Sequence, residues 1–316
     1  MTLTATHSLP LILDEVEVVR VSRLSPSFAR VEFAGPGLAD FGVDGPLFDQ
    51  RIKLIFPHTP GAALPSFAGA DESWFATWLD RPVEERGHMR TYTVRDVLGS
   101  GVDTRLVVDF ALHEGDGESG PGASWAAAAR AGDRLVLMGP RRGLPYGGIE
   151  FTPGEAGRLL LAGDETAVPA ACAILGQLPE DARGAAFLEV PYAADVQAVR
   201  HPAGVEVVWL PRDGAPLGSL LGAAVLDHLG VPPVEPVADD EVDPDLWETP
   251  TYSSSGEAVA ADPAEAPHFL ADCYAWIAGE SKVVTTLRRA LVKELGMDRR
   301  QVAFMGYWRQ GVAMRS

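Results

Sequence analysis

The sequence predicts a β + α/β fold: a β-rich first half, followed by a second half in which strands and helices alternate. Residues 14–138 contain short runs of β-branched and aromatic residues between turns that carry Gly or Pro, typical of a small antiparallel barrel or sandwich. Residues 158–308 alternate apolar runs with helical stretches, which favours right-handed βαβ units and a doubly wound parallel sheet. A length of 316 residues suits two domains, which we place at 1–150 and 151–316.

The elements follow in order along the chain. In the first half we expect strands at 15–21, 29–33, 50–56, 104–110 and 133–138, a loop at 57–80 with a short helix near 74–79, and a helix at 124–130. Ser124 is a suitable N-cap for that last helix, because its hydroxyl can accept a hydrogen bond from a first-turn N–H group. In the second half we expect strands at 158–162, 185–190, 205–210, 272–278 and 302–308, and helices at 167–177, 218–229 and 281–295.

Composition excludes several classes of function. The net charge of −18 argues against nucleic-acid binding, which needs a basic surface to neutralise phosphates. No apolar run approaches the length of a membrane span, and the N-terminus lacks the basic start and apolar core of a secretory signal. The two cysteines, Cys172 and Cys273, lack metal-type spacing, so we expect reduced buried thiols and no metal site. We therefore expect a soluble, cytoplasmic monomer.

Charge is unevenly distributed in the second half. Residues 234–272 hold eleven acids and no Lys or Arg, and the part of this stretch at 234–267, rich in Pro and Ser, is predicted to be a mobile surface loop. Residues 282–316 hold eight cations against two acids. A solvated helix face accounts for most of these cations, and two or three of them could form an anion-binding site.

The segment Arg90-Thr-Tyr-Thr-Val-Arg95 is the most informative in the chain. In a strand, Arg90 and Tyr92 lie on one face, and Thr91 and Thr93 lie on the other. Arginine suits phosphate because its planar fork donates two hydrogen bonds at once, and an aromatic ring can stack on a flat ligand. This combination of cation, ring and hydroxyl fits a flavin dinucleotide, although an ordinary half-exposed strand can carry the same residues.

Two neighbouring segments fit the same ligand. The glycines of Gly120–Trp125 let backbone N–H groups approach an anion, and the following helix points its positive end at the same place. The pyrophosphate of FAD is the natural ligand there, although a simple capped helix explains the segment equally well. The alternation in Val108–His113 could place one face of a strand beside the flavin. We treat His113 as a contact only, because an isolated histidine is usually structural.

A strand that runs into a tight glycine turn indicates a nucleotide site in the second half. Gly163-Asp-Glu-Thr166 follows a buried apolar run and precedes a helix with Pro169 in its first turn. Nicotinamide dinucleotides bind at such a position, at the carboxyl edge of a parallel sheet and against a helix N-terminus. The Gly-x-Gly-x-x-Gly fingerprint is absent. The two acids would hold a ribose or bond backbone amides instead.

Two more segments end strands of the same predicted sheet. Gly279-Glu280-Ser281 opens a helix at a strand end, where nicotinamide or ribose could bind. Tyr307 and Trp308 would usually be core residues. Trp308 beside Arg309 near the chain end is also a reasonable lid over an aromatic ring.

Together these motifs resemble the siderophore-interacting protein family of flavin-dependent ferric-siderophore reductases, from about residue 14 to 311. The motifs are Arg90-x-Tyr92-Thr93-x-Arg95, Val108–Phe110, Gly163–Pro169, Ala278–Glu280 and Gly306–Arg309. The family implies a six-stranded FAD barrel followed by an NAD(P)H domain. In the wider ferredoxin reductase superfamily, the residue matching Arg90 holds FAD phosphate, the ring matching Tyr92 stacks on the isoalloxazine, and the hydroxyl matching Thr93 lies near N5. The loop at 57–80 and the acidic stretch 234–267 depart from the family pattern.

These considerations imply one set of cofactor residues and one set of substrate residues. The residues expected to bind FAD or the nicotinamide nucleotide are Arg90, Thr91, Tyr92, Thr93, Val108, Asp109, Phe110, His113, Gly122, Ala123, Ser124, Gly163, Asp164, Glu165, Thr166, Gly279, Glu280 and Trp308. The cations expected to bind the ferric siderophore are Arg309 first, then Lys282, Arg288 and Arg289. No protein acid, base or nucleophile is expected to be catalytic, because the flavin carries the chemistry.

Three functions remain open from the sequence. The first is a reductase in which FAD takes hydride from NADH or NADPH and passes single electrons to Fe(III) in a ferric siderophore, which releases Fe(II). The second is a reductase of flavodoxin, ferredoxin or free flavin, and the acidic surface argues against acidic carriers. The third is a flavin-loaded siderophore-binding protein without turnover. Acids at 189–195 give NADH a slight advantage over NADPH, although Arg212 could reach a 2′-phosphate.

Overall fold

The computed structural model describes residues 9–112, 120–232, 234–243, 246–254 and 269–312. The chain forms two compact units, the first made of residues up to 24 and 28–148, and the second of 149–315 together with 25–27. Each unit contains one sheet and an apolar core. Within the described ranges, none of the helices combines the length and the apolar character needed to cross a bilayer.

The first unit is built on a seven-stranded antiparallel sheet. Its strands are β1 (Leu11–Ser25), β2 (Phe28–Ala34), β3 (Arg51–Phe56), β4 (His88–Thr93), β5 (Asp96–Leu98), β6 (Arg105–Ala111) and β7 (Arg134–Pro140), in the order β4-β3-β7-β1-β2-β6-β5. Every strand contributes to or packs against one buried cluster, so the sheet curls around its core. The antiparallel class is as predicted, but the described sheet has seven strands and not six. The three-residue β5 is too short to give a pattern of alternation.

Within the described residues, three α-helices accompany this sheet: α1 (Trp74–Leu79), α2 (Val83–Arg86) and α3 (Pro121–Ala128). The short helix near 74–79 is confirmed. The prediction that Ser124 caps a helix is wrong, because α3 begins at Pro121 with Gly120 as its N-cap. The Ser124 N–H already donates to the Gly120 carbonyl at 3.0 Å, inside the helix. A proline at the first helical position explains the earlier start, because its fixed φ suits a helix and it has no N–H to satisfy.

The second unit is a mixed sheet with helices on both faces. Its elements are β8 (Arg158–Gly163), α4 (Val168–Gln177), β9 (Gly184–Val190), β10 (Val205–Pro211), α5 (Ser219–His228), β11 (Trp247–Thr249), β12 (Tyr252–Ser253), β13 (Cys273–Glu280), α6 (Ser281–Arg288) and β14 (Val302–Trp308). The order is β10-β9-β8-β13-β14-β11-β12. One core joins α5 and α6 to the sheet without α4, which packs on β8. The α/β class is as predicted, but the sheet is mixed and not wholly parallel, because β11 and β12 pair antiparallel. Helix α6 passes into a π-helical segment at 289–294 instead of continuing as an α-helix to residue 295.

Part of the acidic stretch belongs to this sheet. Strand β11 pairs antiparallel with β14, and β12 pairs antiparallel with β11. Glu248 on β11 is buried and accepts two hydrogen bonds from the Arg288 guanidinium, at 2.6 and 2.9 Å. The prediction of a mobile surface loop is therefore wrong for this part, because pairing with a distant cation cannot be read from local composition.

A buried carboxylate caps helix α5. The Glu189 side chain at the end of β9 is fully buried and accepts backbone N–H groups from Gly218 at 2.6 Å, Leu220 at 3.1 Å and Leu221 at 2.8 Å. It also lies 3.2 Å from the Arg212 guanidinium. First-turn N–H groups of a helix lack intrahelical acceptors, so this carboxylate satisfies them while its own charge is compensated.

Replacing Glu189 by Ala should lower the free energy of unfolding by about 3 kcal/mol, because three N–H groups lose their acceptor and Arg212 loses a buried partner. Urea denaturation followed by circular dichroism measures the change. Glu180→Ala is the control, since that carboxylate is exposed beside Arg200 and should contribute less than about 0.5 kcal/mol. Equal losses in the two variants would contradict this role.

Candidate functional site

Strand β4 places the arginine and the tyrosine of the predicted flavin motif on one face. Arg90 and Tyr92 lie opposite a buried leucine and a buried isoleucine of β3. Thr91 and Thr93 alternate with them, and the Thr91 hydroxyl accepts a hydrogen bond from Lys53 Nζ at 2.6 Å. The predicted division of these four residues between two faces is confirmed.

The Tyr92 ring lies at the edge of an aromatic cluster. Its centroid is 4.4 Å from that of Phe110 and 5.9 Å from that of Phe56, and Trp125 of α3 packs on the same phenylalanines. Burial raises the pKa of Tyr92, so the phenol stays neutral at physiological pH. The ring is partly exposed, and packing fixes its position, so it can present a surface to a flat ligand.

The start of helix α3 is packed against this ring. Gly122 is buried, and a Cβ at that position would overlap the Tyr92 hydroxyl oxygen and lie 3.3 Å from the Phe56 ring. Only glycine fits this contact. The first-turn N–H groups of Gly122 and Ala123 lack intrahelical acceptors, which is the condition for binding an anion. The exposed Ser124 differs, because its N–H is engaged within the helix.

Arg90 is half-buried on β4, the strand against which α3 packs. Its Nη1 donates to the Met89 carbonyl at 2.7 Å, which orients the guanidinium fork. Burial lowers the pKa of Arg90, but the ordinary pKa of a guanidinium is so high that the group remains a cation. Arg90 and Tyr92 therefore share one face of β4, and the first turn of α3 contacts the Tyr92 ring.

Strand β6 serves the core more than the surface. Val108 and Phe110 are buried in the apolar cluster. Asp109 points to the other face, where Arg30 donates two hydrogen bonds to it at 2.7 and 2.8 Å and the Arg95 Nε lies 3.5 Å away. The structure thus gives Asp109 two cationic partners within the protein. His113 lies outside the described residues.

In the second unit, the carboxyl ends of three adjacent parallel strands meet at Asp164. This carboxylate is buried and accepts four hydrogen bonds. Its Oδ1 accepts from the Thr166 N–H at 2.9 Å and the Thr166 hydroxyl at 2.6 Å. Its Oδ2 accepts from the Glu280 N–H at 2.7 Å and from the Trp308 Nε1–H at 2.9 Å. The sequence left two roles open for Asp164 and Glu165: holding a ribose or bonding backbone amides. The structure shows Asp164 bonded to backbone amides.

Neighbouring groups lock the same three segments together. Gly279 has φ of +143°, and a Cβ there would lie 2.6 Å from Asp164 Oδ2, so both conformation and space require glycine. Glu280 caps α6 by accepting the backbone N–H groups of residues 282 and 283. The Ser281 hydroxyl donates to the Trp308 carbonyl at 2.9 Å, so the Trp308 backbone and indole are both held. Sequence reasoning left Ser281 out of the site, although its place at the helix start was visible.

The acid next to Asp164 is held by a cation. Arg212 donates two hydrogen bonds to Glu165, at 2.7 and 3.0 Å, and also contacts Glu189. Burial, and secondarily the charge of Glu165, raise the pKa of Asp164 to about 7. The Thr166 hydroxyl donates to Asp164, and the N-cap of α4 is Ala167.

The residues used to argue for NADH or NADPH are engaged elsewhere. Glu189 caps α5 and Arg212 pairs with two carboxylates. Asp195 is buried and accepts from the Ser25 hydroxyl at 2.6 Å and from the Ser27 N–H at 2.9 Å. Neither nucleotide is therefore favoured by these side chains.

The four cations predicted to bind substrate all contact the acidic stretch. Lys282 Nζ is 2.7 Å from Asp239 Oδ1, and Arg309 donates to the backbone carbonyls of Asp239 at 2.9 Å and Val242 at 3.3 Å. Arg288 pairs with Glu248, as described above, and Arg289 lies 4.0 Å from Glu241 and 3.5 Å from Glu294. The structure brings Lys282 and Arg309 together at Asp239.

Comparison with family models divides the chain in two. Residues 17–144 match the model of the siderophore-interacting FAD-binding domain, and residues 156–311 match the model of the siderophore-interacting protein. An uncharacterised protein of Mycobacterium tuberculosis is 37% identical over 204 residues, which cover 64% of this chain and 66% of that protein, just under two thirds of its length.

Two similarities extend over nearly the whole chain. The ferric vibriobactin reductase ViuB of Vibrio cholerae is 29% identical over 304 residues, covering 96% of this chain and 90% of its own. The crystal structure of a siderophore utilization protein from T. fusca superposes with a TM-score of 0.64 at 30% identity, over 97% of this chain and 96% of that one. Ferredoxin reductases of lower identity share the fold.

Gly122→Ala should lower the free energy of unfolding by about 1–3 kcal/mol, because the new Cβ overlaps the Tyr92 hydroxyl in a packed core. The double variant Gly122→Ala/Tyr92→Phe removes the overlapping oxygen and should recover most of the loss. Thermal or urea unfolding measures both. Gly120→Ala is the control, since open space surrounds that position, and a lack of recovery in the double variant would contradict the contact.

The environment of Trp308 should titrate with Asp164, because protonation weakens the carboxylate as an acceptor for the indole N–H. The tryptophan emission of the wild type minus that of Trp308→Phe should change with a midpoint at pH about 7, and the change should vanish in Asp164→Asn.

The folded Asp164 carboxyl binds its proton more tightly than the unfolded one. The contribution of Asp164 to the free energy of unfolding, measured as the difference between the wild type and Asp164→Asn, should therefore fall as pH rises from 3.8 to about 7. A difference spectrum that is flat from pH 5 to 9 would contradict this assignment.

Proposed function

Because this chain belongs to the siderophore-interacting protein family, we propose that it is an FAD-dependent oxidoreductase that uses NAD(P)H to reduce Fe(III) held in a ferric siderophore. The 1–150 half would hold FAD in an antiparallel barrel, and the 151–316 half would hold the nicotinamide nucleotide. The relative ViuB, named a ferric vibriobactin reductase, supports the reaction class. The protein would act as a monomer in the cytoplasm.

The observation that carries this proposal is the meeting of three segments at Asp164. Gly163–Thr166, Gly279–Ser281 and Gly306–Arg309 lie at the carboxyl ends of β8, β13 and β14, which are neighbours in the sheet. Open α/β sheets bind nucleotides at this edge, next to helix N-termini. The Trp308 indole, held through its N–H, offers a flat surface against which a nicotinamide ring can pack.

The first unit has the groups that FAD requires. Arg90 and the first-turn N–H groups of Gly122 and Ala123 would bind the pyrophosphate, and the Tyr92 ring would lie against the isoalloxazine, with Thr93 close to it. The close contact of Gly122 with Tyr92 supports this assignment, because it brings a helix start beside an aromatic ring. Once bound, FAD would supply the redox chemistry that links hydride transfer from the nicotinamide to single-electron reduction of Fe(III). The side chains of this protein bind and orient.

An anaerobic absorption experiment tests the proposed function. Purified protein loaded with FAD should lose its yellow colour on addition of NADH or NADPH, and the faster nucleotide identifies the donor. Addition of a ferric siderophore should restore the colour as Fe(II) appears, trapped by a ferrous-specific chelator. A protein that cannot be loaded with FAD contradicts the proposal at its first step. A yellow protein that neither nucleotide bleaches would be a binding protein without turnover.

Arg90→Ala should weaken FAD binding by about 10–100-fold, because charge-assisted hydrogen bonds from a guanidinium to phosphate contribute about 1.5–3 kcal/mol. Titration of apoprotein with FAD, followed by quenching of flavin fluorescence, measures the dissociation constant. Arg20→Ala on β1 removes one positive charge from a side chain that is 68% exposed, and it should leave FAD binding unchanged. Arg90→Lys should recover only part of the affinity, since an ammonium cannot donate a fork of parallel bonds.

A further inference from the structure

The acidic stretch forms a charged surface with the cations of α6 and the chain end. We define the acid segment as the described residues 239–243 and 246–248. We infer that the acid segment makes this protein select neutral or cationic ferric chelates, of the trihydroxamate kind, over multiply anionic ones, of the tricatecholate kind. This inference rests on the proposed function, because it names the class of substrate that the reductase accepts.

The exposed end of the acid segment forms an ion pair with Lys282 and accepts hydrogen bonds from Arg309. The Asp239 carboxylate is 2.7 Å from Lys282 Nζ, and this hydrogen bond lowers the pKa of Asp239, so the carboxylate is ionised at neutral pH. The Asp239 side chain is 80% exposed, which leaves its charge open to an approaching ligand. Arg309 donates to two carbonyls of the same segment. The two cations best placed to attract an anion are therefore already partnered.

The buried end of the acid segment neutralises a second group of cations. Glu248 accepts from both Arg288 and Arg299, and only 4% of its side chain is exposed. Because these charges pair in a poorly hydrated place, separating them to bind another anion would leave a buried carboxylate unpaired, which is strongly unfavourable. Arg288 and Arg299 therefore contribute little positive charge for binding another anion.

A cleft of about 240 Å³ lies between the acid segment and α6, and its charges balance. The carboxylates that line it are Glu241, Asp243 and Glu248, and the cations are Arg288, Arg289 and Lys293. Without the acid segment the same wall would carry three positive charges. With it, the wall has no net charge.

This balance discriminates between ferric chelates by their charge. Three hydroxamates neutralise Fe(III), whereas three catecholates leave a trianion. A trianion meets exposed carboxylates such as Asp239 and gains little from cations that are already paired, in a protein whose net charge is −18. The negative electrostatic potential of the protein neither attracts nor repels an uncharged chelate. Such a chelate would bind through its shape and its apolar groups.

Gallium(III) chelates test the inference, because Ga(III) resembles Fe(III) in charge but is not reduced under these conditions. Dissociation constants of the FAD-loaded protein for a neutral gallium trihydroxamate and a trianionic gallium tricatecholate are measured by quenching of intrinsic fluorescence. Asp239→Asn/Glu241→Gln removes two exposed charges of the acid segment. Glu180→Gln/Asp181→Asn is the matched control, with the same change of charge at two exposed positions before the amino end of β9.

The wild type should bind the trihydroxamate more tightly than the tricatecholate. The Asp239/Glu241 variant should improve tricatecholate affinity by about 3–10-fold relative to the trihydroxamate, and the control variant should leave the ratio within about twofold. Tighter binding of the tricatecholate by the wild type, an unchanged ratio in the Asp239/Glu241 variant, or an equal shift in both variants would overturn the inference, as would binding of neither chelate. If the gallium chelate binds but its iron counterpart is not reduced, the proposed function fails while the inference stands.

Discussion

The second unit depends on one buried carboxylate, which four hydrogen bonds from uncharged donors satisfy. Asp164 accepts hydrogen bonds from the β8–α4 turn, the end of β13 and the indole at the end of β14, and Gly279 is required for the approach. A buried carboxylate is costly unless its lone pairs are satisfied, so the three strand ends are held where they can supply donors. Backbone geometry and the orientation of Trp308 follow from this one group. A nucleotide would therefore meet a surface that is already arranged.

In the first unit, close packing fixes the positions of the groups that would contact a ligand. Gly122 allows helix α3 to start directly against the Tyr92 hydroxyl, and Arg90 lies on the same face of β4 as that ring. The pyrophosphate and the ring system of a flavin need these three chemistries close together. Neither unit needs a general acid, base or nucleophile for the proposed reaction, because positioning is the work left to the protein.

Local patterns in the sequence predicted most of the elements and the motifs of the site. Alternation gave the faces of β4, and strand–glycine–helix transitions gave the segments that meet at Asp164. Most of the predictions that failed concern residues whose partners are far away in the sequence. The salt bridges that neutralise Lys282 and Arg288 join residues about forty positions apart, and the hydrogen bonds that occupy Glu189 and Asp195 similarly link segments far apart in the chain. The predicted N-cap of α3 was wrong for a local reason. The prediction relied on the capping propensity of Ser124, whereas the helix begins at Pro121, three residues earlier. Which nucleotide is used depends on side chains whose partners only the fold reveals.

The most direct test of the account is the number of Fe(II) ions formed per nicotinamide nucleotide oxidised. Anaerobic protein loaded with FAD is mixed with a limiting amount of the preferred nucleotide and an excess of a ferric trihydroxamate, and both products are measured by absorbance. Two electrons leave the nucleotide as hydride and each Fe(III) accepts one, so the account predicts about two Fe(II) per nucleotide, and none without FAD. Oxidation of the nucleotide without Fe(II), or Fe(II) formed equally well by protein lacking FAD, would contradict it.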